Sequence, residues 1–359
     1  MGGNSATRAL LLLVVCACVL LACSPSLSPT PHPPEQGVLS SSDPAWIGGD
    51  GTFSIPLGEQ RRLWLFGDTW LSVGGGRLAM VSNTLGIQVG PCETTFQPLW
   101  RDGEAEPRPF LASEDGVGWL WPAGAVWVET NLYLFYHCLV RRPPGGPWDF
   151  VPRGTELLRV KNPRAPPRDW IMERSVLPWA ADAFLVGSYA VEGEHLLAFG
   201  SRPKGDGREL VLARIALADI KGLGTDPWEF LADEDPPPRW VGHLGEAKGL
   251  FQGVGTEFSV GRDPSGDGWL CVYSPGGISP EIHVRQATKV WGAWDSPKVI
   301  YRCPEADLDP GVYCYGAKHH PQCGGSGGSR LWITYSVNAK DGSLPRGSLP
   351  KPRWISMAW

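Results

Sequence analysis

Basic residues are never in excess in this 359-residue chain: 32 Lys and Arg stand against 37 Asp and Glu, a formal charge of −5. Without residues 1–22, whose only charged side chain is Arg8, the balance is 31 against 37, or −6. No basic stretch is available to displace counterions, which excludes a nucleic-acid polyanion as ligand. Histidine is scarce, seven in all, and neither Cys-x-x-Cys nor His-Glu-x-x-His spacing occurs. A zinc centre is therefore disfavoured. There is no phosphate loop, and the glycine runs at 74–76 and 324–328 lack the strand-to-helix context of a phosphate cradle. No calcium-loop spacing is present either. Oxygen ligands are plentiful, so a structural calcium stays open, while no other metal or cofactor is expected. Sustained helical periodicity is missing, save a short stretch at 216–221. The apolar run Ala9 to Ala22 has fourteen residues, too short to span a bilayer comfortably.

That run, preceded by Arg8, has the length of a secretory h-region. It ends in Leu20-Leu21-Ala22-Cys23, which resembles the lipobox of bacterial lipoproteins and marks Cys23 as the expected lipidation site. Residues 1–22 are then a signal peptide and 23–40 a Pro/Ser-rich tether (SPSLSPTPHPPEQG from Ser24), extended and unpacked. The expectation is an exported protein, anchored to the bacterial envelope or surface only by its acylated N-terminus and otherwise monomeric. Six further cysteines remain: Cys92, Cys138, Cys271, Cys303, Cys314 and Cys323. An even number in an exported chain is compatible with disulfides. The closeness of Cys303, Cys314 and Cys323 in sequence suggests one bridge among them.

What the chain has in quantity is Gly (46), Pro (35) and Trp (18). Gly and Pro at this density imply many turns. One pattern also recurs. LWLFGD at 63 is echoed by LYLFYH at 132, LLAFGS at 196, WLCVYS at 269 and LWITYS at 331, at intervals of 69, 64, 73 and 62 residues. Near-constant self-similarity marks a repeat architecture, and such a period holds four antiparallel strands with their loops. A second repeat lies upstream of each echo: 46–57, 118–128, 177–187, 252–262 and 315–325. The fold expected over 41–359 is all-β, a single five-bladed β-propeller with four antiparallel strands per blade. The upstream repeats would line its axis, where small residues allow strands to converge.

Polar members of those stretches would then meet at one mouth: Asp50, Asp182, Glu257, and His319 or His320. Asp68 ends the strand that pairs with the stretch carrying Asp50. Two acids at one rim separate each other's proton affinities, which is what glycosidic cleavage by an acid and a base requires. Blander roles exist for each: a turn cap for Asp68, an Asx turn for Asp50, a strand hydrogen bond for Glu257, channel packing for His320.

The motif GGDGTFSIPL at 48–57, with LWLFGDTW at 63–70, resembles the opening blade of a bacterial family of five-bladed propellers. That family includes endo-D-arabinanases and related domains of unknown function. Ser82-Asn83-Thr84, WPAG at 121, GTEFSV at 255 and AKHHPQ…LWITYSVN at 317–338 agree with it. The resemblance implies a glycoside hydrolase whose acid and base are Asp50 and Asp68. On this reading Glu257 is a third acid that tunes a pKa or substitutes as proton donor. The expected substrate is a furanose-containing polysaccharide, with D-arabinan the best single choice. Asn83, Asp182, His319 and His320 are expected to bind sugar, and Trp121 or Trp179 to stack on it. The competing class is a non-catalytic glycan-binding lipoprotein, because propellers bind as readily as they cut.

Overall fold

The computed structural model describes residues 34–359, apart from 59, 104–105, 147–148, 178, 180–183, 224–227, 267, 325–329 and 341–349. Its residues form an all-β chain of antiparallel sheets. Each echo is the second strand of a sheet: Arg61–Phe66, Asn131–Arg141, His195–Lys204, Trp269–Tyr273 and Arg330–Ala339. The upstream repeats supply the first strands: Phe53–Gly58, Trp119–Val128, Leu185–Glu192, Phe258–Arg262 and Val312–His319. Each first strand pairs with its echo, and further strands complete five sheets. The echoes are buried on both faces over most of their length. That is why they read as continuous apolar runs and not as alternating ones.

Burial divides into five apolar clusters, each between two sheets. Leu65 meets Leu134 between the first and second, and Phe135 meets Val186 between the second and third. Phe199 and Val260 join the third to the fourth, and Val272 and Ile333 the fourth to the fifth. The last cluster brings Trp64 and Phe66 of the first sheet together with Trp332 of the fifth, the two indoles 6.0 Å apart. A sixth, small sheet of Trp46–Gly49, Thr69–Ser72 and Leu78–Val81 extends from the first. The only helical piece foreseen, at 216–221, is the short helix Leu217–Lys221.

Three expectations change here. Four of the five large sheets have the expected four strands, but the third has six, because Gly249–Gln252 also pairs with Gly207–Ala216 and Arg239–Val241 extends its edge. Residues 35–38, assigned to the tether, form a strand, Glu35–Val38, that pairs antiparallel with Arg353–Ala358 at the edge of the fifth sheet. The folded part thus begins before residue 41, because that sheet's edge offers unpaired backbone groups which the segment satisfies. The cysteines also pair differently. Cys323 bonds to Cys92, 231 residues away, and not to Cys303 or Cys314. The reason is topological: Cys323 lies just past the fifth sheet's first strand, against the cluster shared with the first sheet. Cys303 and Cys314 face inward between the fourth and fifth sheets as buried free thiols.

Candidate active site

The place where the first sheet hands over to the small sheet sets the two aspartates side by side. Phe53 pairs with Leu65 in one ladder and Gly49 with Thr69 in the other, so Asp50 and Asp68 stand opposite each other between them. The Asp50 amide donates to the Asp68 carbonyl at 3.2 Å, and the Gly67 amide donates to the Asp50 carbonyl at 2.9 Å. Two residues with positive φ follow Asp50, Gly51 at +75° and Thr52 at +34°. For a β-branched residue this is an uncommon backbone state, of the kind that collects at functional sites. Gly67 leaves room for the carboxylate: a Cβ there would lie 2.5 Å from Asp50 Oδ1, which would have to shift.

Three other sheets complete the cluster. Tyr315, at the start of the fifth sheet's axial segment, donates its hydroxyl to Asp50 Oδ2 at 2.8 Å. Trp121 of the second sheet donates Nε1–H to Asp68 Oδ1 at 2.7 Å. Glu257 precedes the fourth sheet's first strand and forms an ion pair with Lys318 of the fifth. Burial comes first among the causes that push the Asp50 carboxyl well above its ordinary range, followed by the charges of Asp68 and Glu257. The Tyr315 hydrogen bond and Lys318 oppose that rise. Asp68 is pushed up to about 6, chiefly by burial and further by Glu257, against the Trp121 hydrogen bond and Arg141. The result is a pair of neighbouring carboxyls with unequal proton affinity, in electrostatic reach of a third.

The other expected site residues fall into different places. Trp121 is at the mouth but holds Asp68, with its ring edge-on to Phe150 at 4.9 Å and to Trp119 at 6.1 Å. Asn83 does not reach the mouth. It is fully buried and its amide is consumed by Leu111 and Leu120, to whose carbonyls it donates at 2.8 and 2.9 Å, and by the Leu111 amide, which it accepts at 2.8 Å. Trp179 is also withdrawn, packed edge-on against Phe184 and Trp228 in the core between the second and third sheets. His320 bonds Ser54 through Nδ1 and Thr334 through Nε2 at 2.7 Å, and burial drives its basicity well below that of a free imidazole. Both ring nitrogens are spoken for, so it serves as a strut between the fifth and first sheets. His319 lines a cavity between the sheets with its Nε2 unpaired, its basicity lowered by burial to a pKa of about 4. Asp182 and Cys23 lie outside the described residues.

That cavity, about 240 Å³, is bounded by the first strands of all five sheets and by Pro321 and Gln322. Asp50, Asp68 and Glu257 are not among its walls, whereas Lys318, the ion-pair partner of Glu257, is. Among the described residues, no group of three or more His, Cys, Asp and Glu is arranged to hold a metal ion. Sequence reasoning missed Tyr315 and Lys318, although both stand in the repeat at 315–325. It also missed Trp119, Phe150 and Arg141, whose guanidinium lies 5.1 Å from the Trp119 ring. The available signal for Lys318 was a lone Lys in the small-residue repeat at 315–325.

The chain is all-β, with acids gathered where its sheets converge. Solved structures agree on the fold. A candidate hydrolase from Bacteroides ovatus superposes with a TM-score of 0.64 at 16% identity, covering 89% of this chain and 86% of that one. A family 117 glycoside hydrolase from Zobellia galactanivorans gives 0.53 at 10%, covering 90% and 89%. The catalytic domain of a GH62 α-L-arabinofuranosidase from Coprinopsis cinerea gives 0.51 at 10%, covering 90% and 96%. The chain itself belongs to the family described as "Domain of unknown function (DUF5005)", whose model matches residues 38–347. No curated protein matches it.

Proposed function

We propose that this protein is a glycoside hydrolase acting on a furanose-containing polysaccharide, with D-arabinan cleaved internally as the specific reading. The five large sheets are taken as the five blades of a propeller. The observation that carries the proposal is the Asp50–Asp68 pair: two adjacent half-buried carboxyls, one strongly and one moderately proton-avid, beside a third acid. Asp50, the more avid, supplies a proton to the departing glycosidic oxygen as the bond to the anomeric carbon breaks. Asp68, ionised above about pH 6, accepts a proton from the water whose oxygen bonds to that carbon. One proton leaves the protein and one arrives, so the pair is restored by exchange with solvent. Trp121 orients Asp68, and Tyr315 orients Asp50. The aromatic group of Trp119, Trp121 and Phe150 offers ring edges and faces for sugar contacts beside the acids. That the GH62 neighbour is an α-L-arabinofuranosidase supports trying furanose polymers first.

Export and lipid anchoring through Cys23 belong to the same proposal. The Cys92–Cys323 disulfide supports them, since such bonds persist in oxidising compartments. The test is reducing-end release from arabinans, galactans and fructans. With a cleaved substrate in hand, Asp50→Asn and Asp68→Asn should each lower turnover by roughly 10²-fold or more while retaining glycan affinity in a pull-down. Binding by the wild type without release from any polymer would replace the hydrolase by a glycan-binding protein.

A further inference from the structure

Lys318 is the least exposed charged group near the site: 2% of its side chain meets solvent, against 32% for Glu257. Its ammonium donates to Glu257 Oε2 and, at 3.2 Å, to the Gly316 carbonyl, and it lies 4.6 Å from the centroid of the Phe53 ring. Those contacts belong to three different sheets: Glu257 introduces the fourth, Lys318 and Gly316 are in the fifth, and Phe53 opens the first. An ammonium withdrawn from water this far is costly unless paired, so the geometry ties the cation and its carboxylate together. The backbone makes room for the pair. Gly316 has φ +66°, and a Cβ there would come within 2.9 Å of Glu257 Oε2.

The reaction proposed above has no use for this cation, and the inference drawn from it rests on that reading. We propose that Lys318 is a positioning residue. It clamps Glu257 across the junction of the fourth and fifth sheets as a fixed anion, and the clamped pair sets how protons are shared between Asp50 and Asp68. Glu257 then works through its field, and the transferable proton is carried by the aspartates. The groups facing them support this division. Asp50 is faced by Asp68, Glu257, Tyr315 and Lys318, and Glu257 and Lys318 act on it in opposite senses. Asp68 is faced by Trp121, Arg141 and Glu257, with Glu257 raising it. Tyr313, 5.3 Å from Tyr315 ring to ring, also senses Asp50, Asp68 and Glu257.

The test has two readouts. Residue-resolved ¹³C carboxyl titrations are compared for wild type, Glu257→Gln, Lys318→Met and the double variant, and pH–rate profiles are recorded on whichever furanoside the wild type cleaves. Glu257→Gln should move the titrations of both aspartates to lower pH and carry the acidic limb of the rate profile down with them. Lys318→Met should move Asp50 to higher pH and cost about tenfold or more in turnover at the wild-type optimum. The double variant, which removes both charges, should undo the upward movement of Asp50. Unchanged aspartate titrations in natively folded Glu257→Gln would overturn the proposal, as would a fall in rate with no change in profile. Should Lys318→Met fail to fold, Glu257→Gln and the double variant decide the matter. A wild type that cleaves no glycan removes the hydrolase reading, and the titrations still judge the clamp.

Discussion

Asp68 sits where folding would gain by its absence. Burial raises its carboxyl from an ordinary 3.8 to about 6. An acid with a raised folded-state pKa binds more protons folded than unfolded between those values. The folded state is therefore favoured most below pH 3.8, loses that advantage as pH climbs toward 6, and bears the full cost above it. Two pH units correspond to about 3 kcal/mol at most, and partial exposure reduces this to about 1–2 kcal/mol. Asn at this position keeps an oxygen to accept from Trp121 Nε1 and carries no charge. Asp68→Asn should therefore unfold at a higher temperature than wild type at pH 7.5, with the gap closing as pH falls to 4. Thermal melts across that range check it. A gain in stability joined to a loss of turnover is the signature of a residue kept for chemistry and not for folding, whereas a simple turn cap would be left nearly unchanged, because Asn forms the same turn.

The hairpin formed by Phe53–Gly58 and Arg61–Phe66 shows how much of the site a sequence can disclose. Its period-breaking apolar run, its terminal Asp68 and the upstream Gly-Gly-Asp were legible because strand pairing is local, so the register follows from a short turn. The remaining four hairpins were legible for the same reason, through their echoes. What stayed hidden depends on contacts between sheets. Asn83 carries no mark distinguishing a sugar ligand from a brace between Leu111 and Leu120, and Trp179 none distinguishing a platform from core filling. Lys318 becomes meaningful only when the fourth and fifth sheets are juxtaposed. Gly67 is the local counterpart that a sequence does reveal, since a glycine between Phe66 and Asp68 interrupts a strand otherwise rich in bulky residues. Gly67→Ala would press a methyl group against Asp50 Oδ1, 2.5 Å from the ideal Cβ position. The expected result is a fold destabilised by about 1–3 kcal/mol, with activity falling further than stability accounts for because the carboxylate is the atom displaced. Urea melts paired with assays well below the unfolding transition separate the two effects.

Neighbouring sheets are tied by polar struts as well as apolar clusters. Trp127 Nε1 donates to the Pro56 carbonyl at 2.6 Å, His137 meets the Val186 carbonyl at 3.1 Å, and Ser188 both donates to and accepts from Val260 at 2.9 Å. The His319 amide donates to Ser259 Oγ at 2.8 Å, and His320 with Gln322 engages Ser54. The contact between the first and last sheets is the most heavily supplied: it has that His320 strut, the Trp64–Trp332 cluster and the Cys92–Cys323 bond. This contact also joins the longest sequence separation in the set, so forming it costs the unfolded chain the most conformational freedom. A cross-link spanning 231 residues removes much of that cost in advance. By loop-closure reasoning Cys92→Ser should destabilise the protein by about 2–4 kcal/mol, and reduction of the wild type should have a similar effect. Denaturant midpoints with and without reductant measure both. Because Asp50 and Asp68 lie on the first sheet while Tyr315 and Lys318 lie on the fifth, loosening this junction should also weaken the hold on Asp50 before the chain unfolds. Reduced protein should then lose turnover at denaturant concentrations where its tryptophan fluorescence is still native; a simultaneous loss of both would show that the acid cluster is held by the strand ladders without help from the disulfide.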